Sequence, residues 1–470
     1  MARPANWLTP PYLAAAAGLI AFVSVPGAIN PDSADQLAEA RAGDVSDWHS
    51  AWLTHIWRLM LRCVDSEWTM LALQLLLFWG GAAVLAAAFW RAGRRGSAWT
   101  VFAVALFPHF VFFNHYILKD TAFYSAMFLC SALCFAAISE GHARRWLFAV
   151  AAALAMLATL PIRINGAFAL AGLIVPLLWP SRRWRLVPIA LAIAFASLLL
   201  VNSARWFNAS VLQARSSDVI QSLQILDLMG IQYHSRDASV WGPYALANEE
   251  VDKCYSSFHW DTMSPTGVCA SLRLRLGSPD GRVFEPEAIR KRGDLWVSAI
   301  KAHPLAYLQH RLRHMNSATF FFVPAFHARF SKAVRDGSRE GRAPVTAHDI
   351  RTDYLKKNVF VWPVVWLAGG LGMLALLWPR AGESVEAKFG VALLTSALSY
   401  GFAYLVIGVA TDVRYFLWVN LATVLAAVVA WRDLCDAWRA DPFRRRLALA
   451  GLGAVVAAGF GARLVDVPFV

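Results

Sequence analysis

Long apolar runs separated by short polar turns make up most of the chain. Eleven runs carry the pattern: Pro11 to Ile29, then 68–90, 97–113, 121–138, 146–160, 165–179, 186–203, 358–378, 388–409, 415–431 and 446–462. A helix needs about 20 apolar residues to cross the hydrocarbon core of a bilayer, so these runs read as membrane spans. The shorter ones have ends displaced by a few residues. The first run follows Arg3 and has the outline of a signal peptide, but Pro26 interrupts a small-x-small cleavage site and ten further runs follow. It therefore reads as an uncleaved span with its N-terminus inside. The pattern predicts an all-α polytopic membrane protein of about eleven transmembrane helices. Residues 1–203 form a seven-span module with a first outward loop at 30–67, and residues 358–470 form a four-span module.

Between them, residues 204–357 are too long for a plain connection and predict a mixed domain with structure of its own. The part from Ser210 to Asp280 is polar, with turn signals at Trp241-Gly242-Pro243 and Ser278-Pro279-Asp280-Gly281. Beyond it, Leu305, Leu308, Leu312 and Met315 recur at helical spacing after His303 and Pro304, with Arg311, Arg313 and His314 between them. An apolar run from Phe320 to Phe326 follows. Two readings fit this helix: it lies on the membrane surface, or it packs into the domain.

Charge fixes the orientation. The chain is 58% hydrophobic and only 16% charged, with a formal net charge of +13. Its basic residues cluster between apolar runs: Arg91, Arg94 and Arg95; Arg144 and Arg145; Arg182, Arg183 and Arg185; Arg444, Arg445 and Arg446. That is the distribution of cytoplasmic loops, and it argues against nucleic acid as a partner. The opening acidic stretch, the turns Asn114–Asp120, Pro161–Asn165 and Ala410–Arg414, and residues 204–357 then all face outward. Cys130 and Cys134 read as small core residues. Cys254 and Cys269 share the outward polar region and predict a disulfide on the oxidising side. No Cys/His spacing of the metal-binding kind occurs.

One face thus collects nearly every unusual polar residue. The stretch Asn30 to His49 holds Asp32, Asp35, Glu39, Asp44 and Asp47 directly after an apolar run. It reads either as a loop kept in water by charge or as the seat of a general base at the membrane surface. Lys119 and Asp120 lie where one span ends and the next begins. Arg163 occupies the tight turn Leu-Pro-Ile-Arg-Ile-Asn-Gly between two apolar arms, so its guanidinium must be paired or face an aqueous cavity. The same holds for Asp412 and Arg414 in Ala-Thr-Asp-Val-Arg-Tyr-Phe. Arginine forks suit phosphate oxygens, and a lysine adds a point charge. Carboxylates beside such cations fit transfer of a sugar from a polyprenyl phosphate, the cations holding the leaving phosphate while an aspartate deprotonates the acceptor hydroxyl.

Four motifs carry a resemblance: Pro-Asp-Ser-Ala-Asp-Gln with Asp-Trp-His, Ile-Leu-Lys-Asp-Thr, Ile-Arg-Ile-Asn-Gly and Asp-Val-Arg-Tyr. With the topology, they make the chain resemble integral-membrane glycosyltransferases of the C superfamily, which include protein O-mannosyltransferases and lipid A aminoarabinose transferases. The resemblance implies a catalytic aspartate in the first outward loop, here Asp32 or Asp35. Ser33 and Ala34 separate the two where the family more often has a paired acidic dipeptide, so both stay candidates. The residues themselves give the remaining expectations: donor phosphate contacts from Lys119, Arg163 and Arg414, and substrate contacts from Gln36, His49, Asp120, Asp412 and Tyr415. The partners implied are a polyprenyl-phosphate-linked sugar donor, a glycan, lipid or protein acceptor, and membrane lipids. The expected location is a bacterial inner membrane with the site facing the periplasm. No cofactor is expected; Asp32, Asp35 and Glu39 are the hard-cation alternative, not favoured because no second carboxylate cluster accompanies them. A lipid or solute transporter, or a lipid-linked polysaccharide polymerase or ligase, are the competing readings.

Overall fold

The computed structural model describes residues 27–179, 185–244, 246–258, 260–263, 267, 269–271, 286–322 and 358–465. Most of the predicted first span, the turn Ser278 to Gly281, Arg182 and Arg183, and the run beyond Phe322 lie outside the described residues. Those described form helices and turns with two isolated bridges and no strand. They divide into two compact units, one of residues 1–215, 366–401 and 414–452, the other of 216–365, 402–413 and 453–470.

In chain order the helices are α1 (Pro31–Ala42), α2 (Ala51–Cys63), α3 (Trp68–Arg91), α4 (Arg95–Ala105), α5 (Pro108–Asn114), α6 (Lys119–Ser139), α7 (His142–Thr159), α8 (Gly166–Leu178), α9 (Leu186–Trp206), α10 (Ile220–Ser235), α11 (Asn248–Cys254), α12 (Pro286–Ala302), α13 (Pro304–Ala318), α14 (Pro363–Leu377), α15 (Val385–Ile407), α16 (Leu417–Val429), α17 (Trp431–Ala440) and α18 (Pro442–Val465). Among the described residues, seven helices are long and apolar enough to cross a membrane: Trp68–Arg91, Lys119–Ser139, Arg144–Ile162, Leu186–Val211, Pro363–Arg380, Val385–Ile407 and Pro442–Leu464. Two bent pairs, Arg95–Ala105 with Pro108–Asn114 (54°) and Val413–Val429 with Trp431–Ala440 (77°), raise the number to nine if each is one span. The protein is an all-α polytopic membrane protein. The predicted span at 165–179 is the short apolar helix Gly166–Leu178, which falls below the length of an untilted crossing.

In the first unit α6 is the central helix. Of its most apolar window 89% is buried, against 11% for Leu186–Val211. It packs on α3, α7, α8 and α16. At its C-terminal end Glu140 pairs with Arg91, and Arg94 reaches both Glu386 (3.0 Å) and the Val429 carbonyl (3.1 Å). The ends of α3, α6 and α16 and the start of α15 are thereby gathered around the basic cluster. The starts of α6 and α16, with the residues of interest, are at the opposite end of those helices.

In the second unit α10 is central, packing on α11, α12 and α13. Cys254 and Cys269 are joined by a disulfide with Cα atoms 5.9 Å apart. The unit, expected to be mixed, is helical among its described residues.

Candidate functional site

The acidic stretch read from the sequence as a loop is largely helix α1. Asn30 caps it by accepting from the Ser33 N–H at 2.9 Å, Pro31 fits the first turn, and Gly43 at φ +80° ends it with its N–H on the Glu39 carbonyl. Those signals are written in the sequence as Asn-Pro at one end and Gly at the other, and the density of carboxylates masks them. A second helix, α2, follows within the same predicted loop, capped by Ser50.

Short polar ties hold α1 in place. Ala28 exchanges backbone hydrogen bonds with His115 and Ile117, at 2.9 and 3.0 Å, and the Ser33 hydroxyl donates to the Ile117 carbonyl. Gln74 of α3 donates to the Leu118 carbonyl at 2.9 Å, and Lys119 and Asp120 begin α6 immediately after. On the other side of α1, Gln36 is buried and donates to the Ser50 carbonyl and Thr54 hydroxyl, while Ser50 donates to the Pro161 carbonyl at 3.0 Å. Gln36, expected as a substrate contact, is thus a tie between α1 and α2. The same chain of bonds fixes the turn that carries Arg163.

The result is a cluster of charge where several helices begin. Asp32 lies in the first turn of α1, Lys119 and Asp120 in that of α6, Arg163 just ahead of α8, and Arg414 and Tyr415 just ahead of α16. Asp120 is only 2% exposed and its carboxylate is shared by Arg163 and, at 3.4 Å, by Arg414. Arg414 also binds Asp32 at 2.7 Å. Both guanidiniums lie over the Tyr415 ring, 4.8 and 5.3 Å from its centre. Asn165 accepts from the Arg163 Nε at 2.8 Å. Lys119 faces Asp32, Arg163 and Arg414, its Nζ 3.5 Å from the Trp48 carbonyl.

Electrostatics follow from that packing. Burial works to raise the Asp32 carboxyl, but Arg414 and Lys119 outweigh it and leave the group below its ordinary range. Burial, with the charge of Lys119, pushes His49 down to about 3, so its ring is neutral near pH 7. The His49 Nδ1 is buried without a hydrogen-bond partner among the described residues. Asp35, one turn after Asp32, is exposed and outside the ion pairs of this cluster. Glu39 accepts from the Ser46 hydroxyl, and Asp412 falls in the second unit. Among the described residues no three His, Cys, Asp or Glu side chains gather as metal ligands would.

Lys119, Arg163 and Arg414 stand against two carboxylates, so with His49 neutral the cluster holds an excess positive charge. The positive dipole ends of the helices that begin there add to it. Such a place suits a phosphate. No known protein family, curated protein or solved structure matches the chain.

Proposed function

We propose that the first unit is a glycosyltransferase that moves a sugar from a polyprenyl phosphate to a hydroxyl on a glycan, lipid or protein acceptor. The observation that carries the reading is the pair of arginines held by one buried carboxylate, within reach of a half-exposed second carboxylate, Asp32. Arg163, Arg414 and Lys119 hold the donor phosphate, and Asp120 positions the two guanidiniums. The acceptor oxygen attacks the anomeric carbon, its proton passes to Asp32, and the bond from that carbon to the phosphate oxygen breaks with its electron pair left on the phosphate. The phosphate goes from one negative charge to two, which the cations stabilise most where the charge develops. Asp32 is preferred to Asp35 because only Asp32 meets the cations. Neutral His49, with an unengaged nitrogen, is the polar contact for the sugar or acceptor.

Further support comes from the placement of charge at span ends, where a carrier would use the middle of the membrane. The disulfide in the second unit belongs to an oxidising compartment, in keeping with an outward-facing protein of eleven spans in a bacterial inner membrane and a site open to the periplasm. The test is transfer from polyprenyl-phosphate sugars by purified variants. Asp32→Asn is expected to lower the rate by about 10²–10⁴-fold, the range for loss of a general base, with Asp35→Asn near normal. Arg163→Ala and Arg414→Ala are expected to weaken donor binding as well as transfer. Near-normal transfer by Asp32→Asn would end the assignment of the base.

A further inference from the structure

Helix α13 in the second unit is built inside out for a helix bathed in water. Its two histidines and Arg311 are buried and its leucines are not, with Gln309 the exposed polar residue among them. His310, Arg311 and His314 are at most 2% exposed, whereas Leu305, Leu308 and Leu312 are 79%, 48% and 53% exposed. The inward face is held by ion pairs and hydrogen bonds. Arg311 pairs with Asp227 of α10 at 2.6 Å and donates to the Gly408 carbonyl at 2.6 Å; His310 meets Asp227 at 3.1 Å and the Tyr255 hydroxyl at 2.9 Å; His314 meets the Ser257 carbonyl at 2.8 Å. The other oxygen of Asp227 accepts from Trp296 at 2.8 Å. Removing one partner from a buried charged group costs several kcal/mol, so this face cannot turn outward to hide the leucines.

The helix also sits where spans end. Gly408 directly follows Val385–Ile407, and Trp260 donates to the next carbonyl, Val409, at 2.9 Å. The residues after α13 bind two more span ends: the Thr319 carbonyl accepts from Val364 at the start of α14, and the Phe320 and Phe321 carbonyls accept from Arg463 in the last turn of α18, at 2.7 and 2.9 Å. A helix tied to one end of three spans runs at the level where the chain leaves the hydrocarbon.

We propose that α13 is an interfacial helix whose Leu305, Leu308 and Leu312 enter the acyl boundary of the bilayer in which the protein sits. The partner is the lipid surface itself. The leucines are spaced i, i+3 and i+7 along one side of the helix, and the headgroup boundary is the apolar medium that lies at the level of the span ends. Of the two sequence readings for this helix, packing into the domain holds for its polar face, and the exposed leucines are the face the membrane-surface reading needs.

The test uses the full chain in phosphatidylcholine vesicles, with Cys63 and Cys435 replaced by serine and a nitroxide at Leu308→Cys or, as reference, at the exposed polar Ser239→Cys. Both sites are at the surface and leave the core intact. Collision with oxygen, which concentrates in lipid, is compared with collision with a water-soluble nickel chelate. The oxygen-to-nickel ratio is expected to be several-fold higher at Leu308 than at Ser239. Equal ratios would place the stripe in water and overturn the proposal. Exclusion of both reagents at Leu308 would also overturn it, since the stripe would then be covered by residues 323–357 or a second copy. The readout is independent of glycosyl transfer, so it stands or falls apart from the proposed activity.

Discussion

Asp32 and a donor phosphate compete for the same guanidinium, since the accessible edge of Arg414 is taken by Asp32 at 2.7 Å while Asp120 is buried behind it. On the proposed function, Asp32→Asn should therefore lose transfer yet bind sugar-free polyprenyl phosphate more tightly, measured by titration calorimetry; weaker binding would contradict the competition. Asp120→Ala should do the opposite of a surface mutation. It leaves two largely buried arginines without their shared carboxylate, and about 3–5 kcal/mol of stability is expected to go with it, read from thermal unfolding in detergent. His49 sets a pH dependence. Its folded pKa of about 3 lies below the ordinary 6.5, so only the unfolded chain takes up its proton between those values and stability falls as pH drops through that window. His49→Gln should make the slope shallower by about one proton, ~1.4 kcal/mol per pH unit. Much of the site could be seen beforehand because a charged residue in an apolar turn must be paired or functional, which singled out Arg163 and Arg414. Which aspartate they meet could not, since Asp32 and Asp35 are separated by one turn of a helix that was not itself foreseen.

At the scale of elements, the turn bearing Arg163 depends on how α8 seats against α15. Three hydroxyls of α15 donate to carbonyls of α8: Ser399 to Phe168, Ser396 to Ala169 and Thr395 to Gly172, at 2.7, 2.6 and 2.7 Å. Gly172 permits the approach, because a Cβ there would fall 2.7 Å from the Ser396 Cα and from the Thr395 carbonyl oxygen. Small residues and hydroxyls are how helices associate where no water is left to expel. Gly172→Ala is expected to cost about 1–3 kcal/mol through overpacking. Gly451→Ala, where an added Cβ meets nothing within 4 Å, should be neutral or stabilising by up to about 1 kcal/mol. Equal unfolding temperatures for the two would show that the α8–α15 contact can relax. Apolar run length made the spans legible. It could not reveal that 166–178 is only a short helix, or that breaks at Pro108 and Ala430 bend two others, because hydropathy is blind to direction.

For the whole molecule, the disulfide and the basic clusters make one prediction about orientation. A bridge spanning 15 residues contributes on the order of 3 kcal/mol, so reduction should lower the unfolding temperature, and Cys254→Ser should reproduce that loss without adding to it. Labelling of cysteines introduced at Ser217 and Arg94 in intact cells should reach only the first from outside. Reversed labelling would put the site on the cytoplasmic face and remove the periplasmic reaction. The sequence made the two span-bearing parts and the polar region between them legible, yet the compact units interleave along the chain. Contacts between distant segments decide that, and no local pattern encodes them. The ion pair between Arg414 and Asp32 joins residues 382 positions apart. At a synthesis rate of about 5–20 residues per second, on the order of 20–75 s separate the emergence of the two partners. During that interval Asp120 has Arg163 for company and Asp32 has only Lys119, so the nascent cluster holds two cations against two carboxylates and lacks the ion pair that ties α1 to the start of α16. A ribosome that stalls or a message that ends before codon 414 would leave in the membrane a bundle whose α6 is already inserted but which lacks both α16 and the cation that gives the finished cluster its positive surplus.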